Sequence, residues 1–303
     1  MSRLEEPEAW IAASAGRAAG CAVSGWRRTP GGYTPASRWV AQLAVGGTVF
    51  VKAATTPDTA KWLRREYAFY RQVEAPFLPR CLGWDDAGPW PVLLLEDLSA
   101  AIWPPPWTRD RIGRVLETLR SVAATPPPPG LPPLAGRAPK MFFGWSEVAA
   151  EPGPFLSLHL CSAAWLERSL PALLASQRVD LVDGRDLVHT DTRSDNLCFA
   201  GGRTLFVDWN LACVGNGLMD IAFWLPSLQF EGGPAPESVS REAGAFAGMV
   251  AGYFAARAGL PLIPDAPFVR RVQREQLSTA LPWAVRTLGL EPLDESPAFE
   301  AQP

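Results

Sequence analysis

Residues 187–199 read L-V-H-T-D-T-R-S-D-N-L-C-F, and residues 205–210 read L-F-V-D-W-N. The first run places His189, Asp191, Arg193 and Asn196 in one short loop. Asp208 follows twelve residues after Asn196, beyond a Gly201-Gly202 turn. Apolar β-type stretches flank these residues at Leu187-Val188, Leu197 to Phe199 and Leu205 to Val207. The pattern predicts a hairpin with Asp191 and Asn196 in the loop at one end and Asp208 returned beside them. An aspartate that accepts a hydroxyl proton, an amide oxygen and a second aspartate form the minimal set for Mg-assisted phosphoryl transfer. Asp and Asn singly are common turn residues, because they hydrogen-bond their own backbone. The joint spacing of five constrained positions carries the reading.

This H-x-D-x-x-x-x-N … D pattern resembles the catalytic and metal loops of the aminoglycoside phosphotransferase and choline kinase-like family, a distant relative of the protein kinases. The resemblance spans about residues 23–230. It implies an α+β, bilobal, protein kinase-like fold. The expected N-lobe, residues 1–98, is a small antiparallel sheet with one helix; the expected C-lobe, 99–303, is larger and helical. The implied activity is transfer of the γ-phosphate of ATP, with Mg2+, to a hydroxyl of a small molecule. An aminoglycoside or other antibiotic, an amino sugar or an amino alcohol would suit the family. Asp191 is then the base or orienting acceptor, and Asn196 and Asp208 are the Mg ligands, being hard oxygen donors.

Several neighbouring positions refine that picture. Arg193 departs from the histidine common in these phosphotransferases. A cation two residues from the base either neutralises charge on the transferring phosphoryl group or pairs with Asp195 or another acid. His189 is expected to brace the hairpin through a hydrogen bond. Asp220, in G-N-G-L-M-D-I-A, resembles the last aspartate of the family's G-D-x-x-x-D-x-A and is expected to anchor the catalytic loop. Asn216 stands where that motif has its first aspartate.

Upstream, Lys52 lies in V-F-V-K-A-A, where strand alternation puts it on one face with Phe50. Only three of the 28 basic residues are lysines, Lys52, Lys61 and Lys140, and Lys52 is the one amid apolar strand residues. Such an ammonium needs a partner. Glu66, mid-helix, suits a kinase-like Lys–Glu pair, and Glu74 at the helix end is the rival. Gly31-Gly32 and the residues to Ser37 occupy the place of the family's nucleotide-positioning loop. The Gly32 backbone and the Ser37 or Thr34 hydroxyl would cap phosphates there; an ordinary hairpin turn explains the glycines equally well. Glu96, Asp97 and Leu98 resemble the hinge whose main chain bonds adenine.

The remaining elements must position these groups. Residues 3–19 read as a short surface helix, Trp39 to Val45 and Thr48 to Ala53 as strands around a Gly46-Gly47 turn. A helix starts with Thr56 as N-cap and Pro57 at the first position, running to about Val73. Leu82 to Trp84 and Pro91 to Leu95 supply further strands. Helices are predicted near 109–124, 159–176, 217–229, 238–258 and 266–289, the last with a kink or break at Pro282. The prolines at 125–133 exclude helix and central strand. Between 137 and 165 lie Phe142, Phe143, Trp145, Phe155 and Trp165, which either wall an acceptor pocket or belong to the core.

Composition excludes other classes. At 303 residues, 48% hydrophobic and 19% charged, the chain is long enough for a large core or two lobes. A net charge of -3 marks no nucleic-acid or anionic-membrane binder. Residues 1–10 carry three glutamates and no apolar h-region, so no signal peptide is expected. The stretch from Ala243 to Ala256 is too short to span a bilayer. Five cysteines without C-x-x-C suggest reduced thiols in the cytoplasm. Residues 211–303 hold ten acids against six arginines, a lean towards a cationic acceptor or simply a solvated acidic surface. Two rival functions remain: a non-catalytic nucleotide-binding regulator of the same fold, and a protein kinase. The first is disfavoured by the full residue set, the second by the lack of G-x-G-x-x-G, D-F-G and A-P-E.

Overall fold

The computed structural model describes residues 6–29, 35–137, 141–264 and 266–294. The chain forms two compact units. One comprises the residues up to Pro104 together with Asp195–Ala212; the other comprises Pro105–Ser194 and the residues from Cys213 on. The first passage between them falls six residues after the expected boundary at Leu98, and the hairpin expected in 99–303 groups with the first unit.

The first unit is built on a five-stranded antiparallel sheet: β1 (Val23–Arg28), β2 (Ser37–Leu43), β3 (Thr48–Ala53), β4 (Cys81–Asp85) and β5 (Val92–Glu96), in the order β1-β2-β3-β5-β4. The β2–β3 turn uses Gly46 and Gly47 at φ 94° and 82°, backbone angles that side chains resist. Alternation sends Trp39, Ala41, Val49, Val51 and Ala53 to one face, where Ile11 and Ala15 of helix α1 (Ala9–Ala19) close a core. Helix α1 is therefore shorter than expected and not merely a surface helix. Pro7 disfavours helical geometry in the residue before it, so the helix starts only after that position.

Helix α2 (Pro57–Tyr70) starts as the sequence indicates. The Thr56 hydroxyl accepts from Thr59 N at 3.2 Å, and the Thr59 hydroxyl accepts from Thr56 N at 2.9 Å. The helix buries Leu63, Glu66, Phe69 and Tyr70. The hairpin of Leu197–Ala200 and Arg203–Phe206 turns through Gly201 and Gly202 at φ 53° and 77°. Leu187-Val188 does not extend it: Asp186–Val188 pairs instead with Cys213–Gly215 in the second unit.

The second unit is helical: α3 (Arg109–Ala124), α4 (Gly144–Ala150), α5 (Gly153–Leu156), α6 (Ala163–Ala175), α7 (Leu218–Phe230), α8 (Pro236–Val239), α9 (Ala247–Ala258) and α10 (Val269–Leu288). The helix expected over 238–258 is divided. Ser240 is extended, and its hydroxyl accepts from Ala243 N at 3.3 Å, starting a fresh turn. The break expected at Pro282 is absent, because α10 runs through it. One lost backbone bond is outweighed by complete burial of Leu277, Leu281, Trp283 and Ala284. Of the five aromatics between 137 and 165, Phe142, Trp145, Phe155 and Trp165 are buried core and only Phe143 is exposed. His159 is exposed in a left-handed turn at φ 51°. Among the described residues no helix is long and apolar enough to cross a membrane. Cys21, Cys81, Cys198 and Cys213 are free thiols.

Helix α1 is tied to β4 by Arg17, whose Nε and Nη2 donate to Asp85 at 3.1 and 2.8 Å. These bonds hold the Asp85 carboxyl below its ordinary range. A depressed carboxylate stabilises the fold above its unfolded pKa of about 3.9 and loses that contribution as pH falls through the folded value. Arg17→Gln should therefore lower the urea midpoint at pH 7, and the difference from the parent should vanish near pH 2. A difference independent of pH would refute the ion-pair origin.

Candidate active site

In the first unit, Lys52 of β3 is buried with its Nζ 2.7 Å from Glu66 Oε2 and 3.0 Å from Asp208 Oδ1. Glu66, on the inward face of α2, is the partner; Glu74 lies exposed beyond the helix end. Burial pulls the ammonium down, but Asp208 and Glu66 outweigh it and hold Lys52 protonated. Asp208 leaves the hairpin at φ 66° and ψ 53°, a left-handed conformation that Asp tolerates better than most residues. Two contacts fix it there. Asn210 Nδ2 donates to Asp208 Oδ1 at 2.6 Å, and Trp209 stacks on Phe69 of α2 with centroids 4.5 Å apart. Ala36, Lys52, Thr59, Glu66, Asp208 and Asn210 line a small pocket.

The hairpin sets Asn196 beside this group, since the Asn196 carbonyl accepts from Val207 N at 2.9 Å. Among the described residues no three carboxylate, thiol or imidazole groups gather into a metal cage. An amide and a carboxylate on adjacent strand ends fit Mg2+, which takes few protein oxygens and draws the rest from phosphates and water.

Ser37 alternates away from Lys52, and its hydroxyl accepts from Trp39 Nε1 at 2.7 Å. Arg38, the next residue, lies directly opposite Lys52 across the β2–β3 pair. Gly32, with Gly31, Tyr33 and Thr34, lies outside the described residues. The Glu96 side chain accepts from Arg203 Nη2 at 2.5 Å and from Arg80 N at 3.2 Å. Asp97 caps Ser99 N at 2.9 Å. The Leu98 carbonyl accepts from Ala101 N at 3.0 Å and Trp103 Nε1 at 3.3 Å.

In the second unit, Asp220 organises the loop that follows Asp186–Val188. Its two oxygens each accept a backbone N–H at 2.7 Å, from His189 and from Thr190. Thr190 sits at φ 70°, a strained angle for a β-branched residue that this clamp and Arg137 hold in place. Arg137 Nη1 donates to the Thr190 hydroxyl at 3.0 Å. His189 is fully buried, and its Nδ1 accepts from Asp191 N at 3.2 Å, so it braces the loop. Arg193 Nε lies 3.0 Å from Asp191 Oδ1, so its ion pair is with the candidate base itself. Ser194 donates to Glu231, which also accepts from Trp107 Nε1 at 2.8 Å. Asn216 does the work of a turn residue, donating to the Leu181 carbonyl at 2.9 Å and accepting from Leu218 N at 3.0 Å.

Sequence reasoning missed Arg38, Arg137, Asn210 and Glu231. Arg38 was not findable from the glycines alone, because counting back from Gly46-Gly47 pairs Lys52 with Ala41, whereas the longer turn pairs Gln42 with Thr48 and so Arg38 with Lys52. Nothing in the spacing marks Arg137 or Glu231.

The sequence model of the phosphotransferase enzyme family matches residues 25–263. The chain belongs to that phosphotransferase family. Solved structures share its fold at low identity. One is a choline/ethanolamine kinase family protein from Mesorhizobium loti, 15% identical, covering 88% of this chain and 92% of that one, with a TM-score of 0.60. Another is ADP-bound aminoglycoside phosphotransferase APH(2'')-Ib, 13% identical over 93% and 99% of the two chains, with a TM-score of 0.57. A third is spectinomycin phosphotransferase APH(9)-Ia in complex with ADP and spectinomycin, 11% identical over 92% and 98%, with a TM-score of 0.55. No curated protein matches the chain by sequence.

Removing one member of a buried ion pair costs about 3–5 kcal/mol, whereas apolar replacement of both is often neutral. Lys52→Met should thus lose stability on that scale, and Lys52→Met combined with Glu66→Leu should regain most of it. Neither variant should bind Mg·ATP. Urea unfolding and nucleotide titration check both points; equal destabilisation in the single and double variants would refute the pairing.

Proposed function

We propose that this phosphotransferase moves the γ-phosphate of ATP to a hydroxyl group of a small molecule. The observation that supports this reading most is the buried Lys52 ammonium held between Glu66 and Asp208. In this reading Glu66 aims Lys52 at the nucleotide phosphates, and Asn196 and Asp208 hold Mg2+. The bound Mg·ATP supplies the phosphoryl group and screens its charge. Asp191 orients the acceptor hydroxyl and receives its proton as the new O–P bond forms and the bond to the ADP oxygen breaks. His189 and Asp220 position Asp191 through the loop backbone, and Arg193 balances its charge. Arg38, sharing a face with Lys52, adds a second cation for the nucleotide phosphates. Gly32 and the main chain of Glu96, Asp97 and Leu98 remain the candidates for further nucleotide contacts.

The relatives of known structure are named for aminoglycosides, spectinomycin and choline or ethanolamine, all small hydroxyl compounds. A role in antibiotic resistance and a metabolic role both suit this chemistry. Five cysteines with no C-x-x-C pair among them favour a cytoplasmic protein.

ADP release with Mg·ATP, measured across a panel of aminoglycosides, sugars, sugar acids and amino alcohols, tests the reading. Asp191→Asn should lower kcat about 10²–10⁴-fold with little change in the KM for ATP. Asp208→Ala should abolish Mg·ATP binding. Unchanged turnover in Asp191→Asn would remove it from the reaction, and a parent protein that fails to bind Mg·ATP would overturn the kinase assignment.

A further inference from the structure

Helix α7 holds the segment that carries Asp191 at two points, one near the start of the helix and one just after its end. Asp220, in the first turn, takes the amides of His189 and Thr190. Glu231 follows the last turn of the same helix, and its Oε1 accepts from the Ser194 hydroxyl. Asp191 and Arg193, themselves joined at 3.0 Å, lie between the two anchors in the chain. The helix from Asp220 to Glu231 rises about 16 Å, while the chain from Thr190 to Ser194 reaches at most about 14 Å. A segment held at both points therefore has little slack.

Helix stability does not account for the Glu231 side chain. A carboxylate at the C-terminal end of a helix meets the negative end of the macrodipole and is disfavoured there. The backbone closes the last turn instead: Glu231 N donates to the Ser227 carbonyl at 3.0 Å, and Gly233 N donates to the Leu228 carbonyl at 2.9 Å. The side chain collects donors from distant segments. Besides Ser194, it accepts from Trp107 Nε1 at 2.8 Å on Oε2 and from the Ser227 hydroxyl at 3.4 Å on Oε1. The Trp107 ring meets the buried Trp224 of α7 edge-on, with centroids 5.5 Å apart, and so steadies the carboxylate from its other side. Hydrogen bonds to an ionised carboxylate are about twice as strong as neutral ones. Pro105 begins the second unit and Ser194 ends its first stretch of chain. Glu231 thus clasps the segments by which the chain enters and leaves that unit.

We infer that Glu231 is a positioning residue for Asp191: through the Ser194 hydroxyl it pins the far end of the loop to the helix whose Asp220 pins the near end. This rests on the kinase reading above, in which Asp191 orients the acceptor hydroxyl, and adds a residue to that same site. Glu231 touches no reacting atom; it acts through Ser194 on where the Asp191 carboxylate stands.

Mg·ATP is the probe, with ADP release by the full chain read with water as acceptor and with aminoglycosides, sugars, sugar acids and amino alcohols. Ser194→Ala and Glu231→Ala should each lower kcat about tenfold and leave the KM for ATP near that of the parent. The two together should lose no more than the worse of them, because they remove one bond. Ser194→Thr, which keeps the hydroxyl, should recover most of the rate lost in Ser194→Ala. In an Asp191→Asn background Ser194→Ala should cost nothing further. Hydrogen exchange of residues 189–194 should quicken in Ser194→Ala while that of α10 stays the same, as a local loosening requires. If Glu231→Ala fails to fold, Ser194→Ala, which removes a single hydroxyl, decides the matter. An active parent whose kcat or loop exchange is unmoved by Ser194→Ala would overturn the inference, as would a further loss in the Asp191→Asn background. A parent that releases no ADP with any acceptor would overturn the kinase reading and the positioning role together.

Discussion

An ammonium taken out of water costs several kcal/mol unless carboxylates stand against it at hydrogen-bond distance. Lys52 sits in the middle of a sheet under that constraint, and much of the first unit serves to meet it. Glu66 has to lie on the inward face of α2, so the start of that helix is fixed by the reciprocal Thr56–Thr59 bonds. Asp208 has to leave its hairpin with a positive φ, so the next residue is a tryptophan that stacks on Phe69 of the same helix. Helix, hairpin and strand are thereby tied to one charge. Arg38 raises the demand further, since a second cation opposite Lys52 is tolerable only with both Glu66 and Asp208 present.

The second unit answers a backbone problem of the same kind. The segment from His189 to Asp191 includes a threonine at positive φ, and its amides point inward. One buried carboxylate, Asp220, takes two of those amides, and the His189 ring takes a third. A carboxylate that accepts charge-assisted bonds from backbone amides holds a strained loop more firmly than neutral groups would. The loop is thus held at three consecutive amides.

Much of this was legible in the sequence, for reasons that differ by residue. The β2–β3 hairpin and the start of α2 follow from Gly-Gly and Thr-Pro, whose preferences are local. The link from Lys52 to Glu66 was available because a lysine amid strand valines needs a partner and a helix supplies one nearby. Arg38 and the turning away of Ser37 follow from period two once the register is known, but the register depends on the turn. The division of the helix expected over 238–258 and the continuity of α10 through Pro282 were not legible. Both depend on burial: Ser240 competes for a backbone amide, and the apolar side chains around Pro282 outweigh a lost bond. Arg137 and Glu231 act through contacts far away in the chain, Glu231 reaching Trp107 across 124 positions, and no local pattern announces such partners.

The first unit is discontinuous in the chain, and this shapes how the protein is made. Lys52 and Glu66 are 14 residues apart and leave the ribosome almost together, but Asp208 follows Lys52 by 156 residues. At about 5–20 residues per second, that interval is roughly 8–30 s of synthesis. Throughout it the five-stranded sheet exists without its hairpin, and one face of α2 lacks the tryptophan that covers it. Almost half of the other unit emerges in the meantime. The first unit is therefore no module that a gene fusion could borrow by cutting at residue 104, and its assembly must wait for residues 195–212.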